Sequence, residues 1–264
     1  SLVPDGLNWP LGLAVDKDGL LFVADGGFTY TLPSAGGLQP AGMLFSPGFP
    51  GYTRGVAAVG AAEYVVTTAN GQVSHWSPSK QEHTVLADGF DQLYGIAVHS
   101  NGAAVFAEKG RGRLLSVASG QVQTLLENLD QPTGVAISGD TILVAEEGAG
   151  RVVKVAGAGC ETVLDGLQAP QGILAKDDLL YVVDVGSKEL IQFNMKTGTR
   201  QTIAADLPVG APPGVVPKFL GPIGVLSGAM GPFAGIAQGH HGELYVSADA
   251  EGSVLELKPG PTVN

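Results

Sequence analysis

Between Gln131 and Leu167 the apolar residues fall in short runs, GVAIS, TILVAE, RVVKV and ETVLDGL, each closed by glycine or an acidic residue. β-Branched side chains dominate these runs, and Gly139-Asp140 and Gly148 to Gly150 supply turn residues between them. Four strands meandering through about 40 residues make one blade of a propeller. Such a unit cannot cover both of its faces alone, so it needs a neighbour on each side.

The pattern recurs along the chain. The first-strand glycine is matched by Gly12, Gly55, Gly95, Gly134, Gly172 and Gly235, at successive intervals of 43, 40, 39, 38 and 63 residues. Alanine follows two positions later in every case but one, where Leu174 stands. Small residues suit a strand that lines the crowded axis where blades converge. The second strands LLFVAD, EYVVTT, AAVFAE, TILVAE, LLYVVD and ELYVSA also align, as do the outer-strand endings TVLADGF, QTLLENL, TVLDGL and QTIAADL. The chain opens with one more such ending, SLVPDGL, and closes on a third strand, EGSVLELKPG, that lacks a fourth.

The sequence therefore predicts an all-β fold, a six-bladed β-propeller of four-stranded blades closed by its N-terminal strand, which leaves no blade edge unpaired. One domain spans 1–264. Blade 1 covers about 8–50, blade 2 51–90, blade 3 91–129, blade 4 130–167, blade 5 168–207, and blade 6 234–258 together with 1–7.

Blade 1 departs from the template with an aromatic, Gly/Pro-rich stretch that carries Phe28 and Tyr30. An insertion, 208–233, separates blades 5 and 6, and Lys218 is its only charged side chain. It is too apolar for a solvated linker and is expected to lie as a lid over the face where first strands begin.

Composition narrows the function classes. With 14 Lys and Arg against 25 Asp and Glu, net charge −11, the chain lacks the basic footprint that nucleic acid requires. No apolar run is long enough to span a membrane, no segment reads as a targeting signal, and a soluble protein of open compartment is expected. The single cysteine, Cys160, rules out an intramolecular disulfide and is placed in an outer loop. His99, His240 and His241 fall in turns on the opposite face, and His75 and His83 lie toward the rim, so no His-based triad or zinc site is expected.

Two sets of residues are expected near the channel mouth. Those preceding the first-strand glycines are Leu11, Arg54, Tyr94, Thr133, Gln171 and Ala234; those ending second strands include Asp25, Glu108, Glu146 and Asp184, with Asp249 one step beyond Ala248. Converging carboxylates would raise one another's pKa or recruit a cation, which suits acid–base chemistry. Glu108, Glu146, Asp184, Arg54 and Tyr94 are thus the candidate catalytic residues. Asp25, Gln171, Phe28, Tyr30, Phe219, Leu220 and Met230 are the candidate substrate contacts. The competing reading is that each acid holds a neighbouring turn.

ILVAEEGAGRVVKV in blade 4 and LLYVVDVGSKELIQF in blade 5 resemble NHL repeats. The resemblance extends to a superfamily that includes the gluconolactonase and senescence marker group, strictosidine synthase-like proteins and the virginiamycin B lyase family. It implies scaffold, hydrolase or lyase functions. The gluconolactonase-like group implies a Ca²⁺ or Zn²⁺ ion, for which Asp184 matches the ligand Asp, Gln171 replaces an Asn and Leu11 replaces the Glu. A hard cation would otherwise draw on Glu108, Glu146 and Asp184 with water. In the lyase family a Glu ends some second strands, as Glu108 and Glu146 do here, but its histidines have no counterpart on this face.

Two functions are left open. One is a small-molecule enzyme, a lactone or ester hydrolase, lyase or isomerase acting on a largely apolar substrate, since the chain carries no redox-cofactor motif. The other is an NHL-type protein-interaction or sensor domain without catalysis.

Overall fold

The computed structural model describes residues 2–3, 6–33, 35–211, 215 and 231–258. Its strands form six antiparallel sheets, each ordered as a simple meander. Five sheets have four strands, running from Pro10–Val15 to Gln39–Met43, Thr53–Gly60 to Glu82–Ala87, Leu93–Val98 to Gln121–Leu126, Pro132–Ser138 to Gly159–Leu164, and Pro170–Lys176 to Arg200–Ala204. The sixth has three strands, Ile236–Gln238, Leu244–Ala248 and Ser253–Leu257. A single 3-10 turn, Pro78–Lys80, interrupts the β structure, and no helix among the described residues is long and apolar enough to cross a membrane.

The sheets follow from the sequence blade by blade. Inner and second strands bury nearly every side chain because both faces meet another blade, whereas outer strands such as Gly159–Leu164 are mostly exposed. Cys160 lies on that outer strand rather than in a loop, and it is exposed. Apolar clusters fill the wedges between blades. Phe22, Tyr64 and Trp76 join blades 1 and 2; Leu143, Leu164, Ile173 and Leu180 join blades 4 and 5; Val183, Leu207, Ile236 and Val246 join blades 5 and 6.

Close approach at the axis explains the glycine repeat. A Cβ on Gly12 would lie 2.1 Å from the Arg54 carbonyl oxygen, and one on Gly55 2.3 Å from that of Tyr94. The series continues through Gly95 with Thr133, Gly134 with Gln171 and Gly172 with Ala234, and Gly235 returns it to Leu11. Six inner strands thus touch edge to edge around the axis, and only glycine fits there.

The fourth position of blade 6 is partly accounted for. Val3 bridges Val254 in antiparallel fashion, with the Leu2 and Val3 amides donating to the Val254 carbonyl and the Val254 amide to that of Val3. Val3 and Leu7 are buried with Leu13, Val23 and Val254. Gly252, at φ +76°, faces the Leu7 carbonyl just as Gly71, Gly112 and Gly150 face those of Phe90, Leu129 and Leu167 in blades 2 to 4.

Candidate functional site

Five of the six inner strands open with a register shift that takes two residues out of regular pairing, between Pro10 and Leu13, Thr53 and Val56, Leu93 and Ile96, Pro132 and Val135, and Pro170 and Ile173. The residues before the six inner glycines, Leu11, Arg54, Tyr94, Thr133, Gln171 and Ala234, are all buried. Thr133 donates to the Pro170 carbonyl, and the Gln171 side-chain oxygen accepts the Ala234 amide. Phe233 packs edge-on against Tyr94 and reaches a small cavity bounded by the glycine ring, so this end of the channel is plugged.

Arg54 is the unusual member. Only 1% exposed, it donates to the Leu93 carbonyl and lies over the Tyr94 ring, 4.4 Å from its centre. Burial lowers its pKa, and burial pushes the Tyr94 hydroxyl up to about 12, so Tyr94 stays protonated through the neutral range. Lys109 Nζ sits 5.0 Å from the centre of the same ring and 2.8 Å from Glu147. Lys109 and Glu147 each follow a second-strand acid, and their amides are held by the Gln92 and Gln131 carbonyls. Sequence reasoning stopped one position short of both.

The acids themselves are placed otherwise than expected. Each is buried and turned toward the loop leading into its own blade's first strand. Asp25 accepts the amides of Asn8 and Trp9; Asp184 accepts those of Gln168, Ala169 and Gly186. Glu108 accepts the Asp91 amide at 2.8 Å and the Arg113 guanidinium at 2.6 Å, with Arg111 at 3.1 Å. Glu146 repeats the arrangement with the Asp130 amide and Arg151. Glu stands where an arginine opens the third strand directly opposite, and Asp where none does. The longer acid spans loop and guanidinium together, while the shorter one meets amides alone.

Glu108, Glu146 and Asp184 are thus each engaged with a neighbouring loop, as the competing reading of these acids expects. Among the described residues no group of three or more His, Cys, Asp or Glu could hold a metal ion. A gluconolactonase-type donor set does not fit, because Leu11 offers no ligand atom, the Gln171 oxygen is engaged and both Asp184 oxygens accept amides.

Phe28 and Tyr30 also lie elsewhere, on the third strand of blade 1, in a groove that shares no residue with the channel mouth. Phe219, Leu220 and Met230 fall outside the described residues. The stem of the insertion is anchored, however. Lys188 donates to the Val209 and Ala211 carbonyls, and Asp249 accepts the Gly210 amide at 2.8 Å.

Burial raises the Asp249 carboxyl above the ordinary aspartate value, outweighing the lowering by the Gly210 amide and Lys188. A raised folded pKa contributes stability that is complete below the unfolded value and lost as pH rises through the folded one. Asp249→Asn, which keeps the acceptor without the charge, should flatten the fall of Tm as pH rises above the ordinary aspartate range. An unchanged slope would show that Asp249 does not cause it.

No protein-family model matches this sequence, and no curated protein matches it. Solved structures do. A gluconolactonase from Xanthomonas campestris superposes with TM-score 0.71 at 12% identity, over 97% of this chain and 87% of that one. Regucalcin from Agrobacterium tumefaciens, described as a calcium-binding protein, gives 0.70 at 15% over 97% and 92%. Virginiamycin B lyase from Staphylococcus aureus gives 0.63 at 14% over 97% and 86%. The chain shares their six-bladed fold. At these identities the likeness is one of fold alone.

Proposed function

We propose that this propeller binds a small, largely apolar molecule at the plugged channel mouth and acts on it by hydrolysis, elimination or isomerisation. The observation that carries the reading is the buried Arg54 guanidinium on Tyr94, whose ring is also approached by Lys109 of the Lys109–Glu147 pair. Holding one cation out of water near a second is costly, and such costs concentrate at functional sites. Leu11, Phe233 and Ala234 supply the apolar part of the mouth.

In this reading Glu147 is the general base or acid, as the carboxylate of the mouth that is partly exposed and paired with a lysine. Lys109 meets negative charge as it develops on a substrate oxygen. Arg54 is a positioning residue that adds its field from its buried position, where low dielectric strengthens it. Tyr94 supports both cations through its ring face. Glu108, Glu146, Asp25 and Asp184 hold the loops that set this geometry.

The test is turnover of a panel of lactones and apolar esters by the protein and by Glu147→Gln. Loss of the base should lower kcat by about 10²–10⁴-fold while ligand binding persists. Equal turnover by both forms would exclude Glu147. Failure to bind any panel member, with capture of a protein partner instead, would favour the interaction-domain reading.

A further inference from the structure

Outside the channel, blade 1's departure from the blade template builds a cavity of its own. Blade 1's third and outer strands, the turn after them and blade 2's third strand enclose about 350 Å³, at the lower end of small-molecule pockets. Phe28, Tyr30, Met43, Phe49, Trp76 and Pro78 form most of its wall, and no lining residue carries a charge. In a chain of net charge −11 an uncharged wall selects against ionic ligands, because nothing there repays the desolvation of an ion.

The wall is aromatic and ordered. The Phe28 and Tyr30 rings stack at 6.3 Å, and Phe49 meets Trp76 edge-on at 5.5 Å. Flat rings and a thioether favour a planar aromatic guest over an aliphatic one. Gly42 keeps the floor open, since a Cβ there would fall 2.9 Å from the Phe49 ring and 3.0 Å from Trp76 Cζ2, beside the edge that bears Nε1.

Two further observations point to a guest. Trp76 is 1% exposed, yet its indole N–H has no hydrogen-bond partner among the described residues. A buried donor left in that state is destabilising, and a ligand acceptor would satisfy it. In the turn between the lining residues Met43 and Ser46, Phe45 sits at φ 74° and is 77% exposed. A bulky residue in the left-handed region is strained, and such strain gathers at ligand clamps.

We infer that this groove between blades 1 and 2 binds a neutral, planar aromatic molecule that presents a hydrogen-bond acceptor to Trp76. The site is independent of the channel mouth, so either can fail alone.

With two tryptophans, the protein has two indole N–H resonances, and Trp9→Phe identifies that of Trp76. The probe is chromone, neutral and two-ringed with a carbonyl; chromone-2-carboxylate and benzyltrimethylammonium are its anionic and cationic counterparts. Chromone should shift the Trp76 N–H downfield saturably. Phe28→Ala and Met43→Ala, at half-exposed positions that fold without their side chains, should each weaken it about five-fold. Glu147→Gln should leave it unchanged. Four results would overturn the inference: no Trp76 shift up to the solubility of chromone, equal binding of the anion, tighter binding of the ammonium ion as in an aromatic cage, or unchanged affinity in both groove variants.

Discussion

Deleting residues 1–7 should lower the unfolding free energy by about 3–6 kcal/mol, the worth of exposing two buried aliphatic side chains. Those side chains are Val3 and Leu7, buried against Leu13, Val23 and Val254. The deletion also frees the amide and carbonyl of Val254, now bonded to Val3, and leaves the last strand as an open edge. Beyond the lost contacts, the segment would complete blade 6 as its outer strand, so its loss should open the ring where first and last blades meet. Urea denaturation reads the effect as a lower midpoint, and a separate early transition confined to blade 6 would locate it. An unchanged midpoint would mean that Ser1–Leu7 closes nothing.

The second large effect concerns acids that sequence alone nominates for chemistry. Glu108→Ala should cost about 3 kcal/mol, because it strands the Asp91 amide and removes the buried half of an ion pair. Arg113→Ala should cost a similar amount, because it leaves the fully buried Glu108 carboxylate with only the Asp91 amide and the half-exposed Arg111. Loss of stability from either side of the pair is the signature of a structural carboxylate. Glu146 and Arg151 should repeat it. Any activity lost in Glu108→Gln should track the folded fraction, whereas Glu147→Gln should lose activity while folded. If Glu108→Gln stays fully stable yet inactive, the acid touches substrate and the loop-holding role is secondary.

The ring was legible because its causes are local and repeated. A glycine before the small inner-strand residues and an aliphatic second strand recur at a nearly constant interval, and the axis demands both. The roles of the acids were not, since a carboxylate at a second-strand end serves a catalytic mouth or a neighbouring loop from the same position. What separates the roles is the cross-strand arginine, Arg113 for Glu108 and Arg151 for Glu146, which the sequence displays but the blade alignment does not weigh. Lys109 and Glu147 do not stand out in the blade alignment because they follow the aligned second-strand ends by one residue. Phe28 and Tyr30 read as parts of the channel because they follow Asp25 closely. The hairpin instead carries them outward to meet Trp76 of the next blade.

The closed contact of the six inner glycines also bears on how such a chain can change over generations. Every single-base missense change in a glycine codon yields a residue with a Cβ, and each of these glycines faces a neighbouring carbonyl at 2.1–2.7 Å from where that atom would sit. None of the six sites is therefore free to drift by itself. Because the last glycine abuts the first blade's strand, a duplicated blade could enter only by opening all of these contacts together. Descent within this fold is thus channelled outward, into hairpins, turns and insertions, where blade 1 and residues 208–233 already differ from their sister repeats.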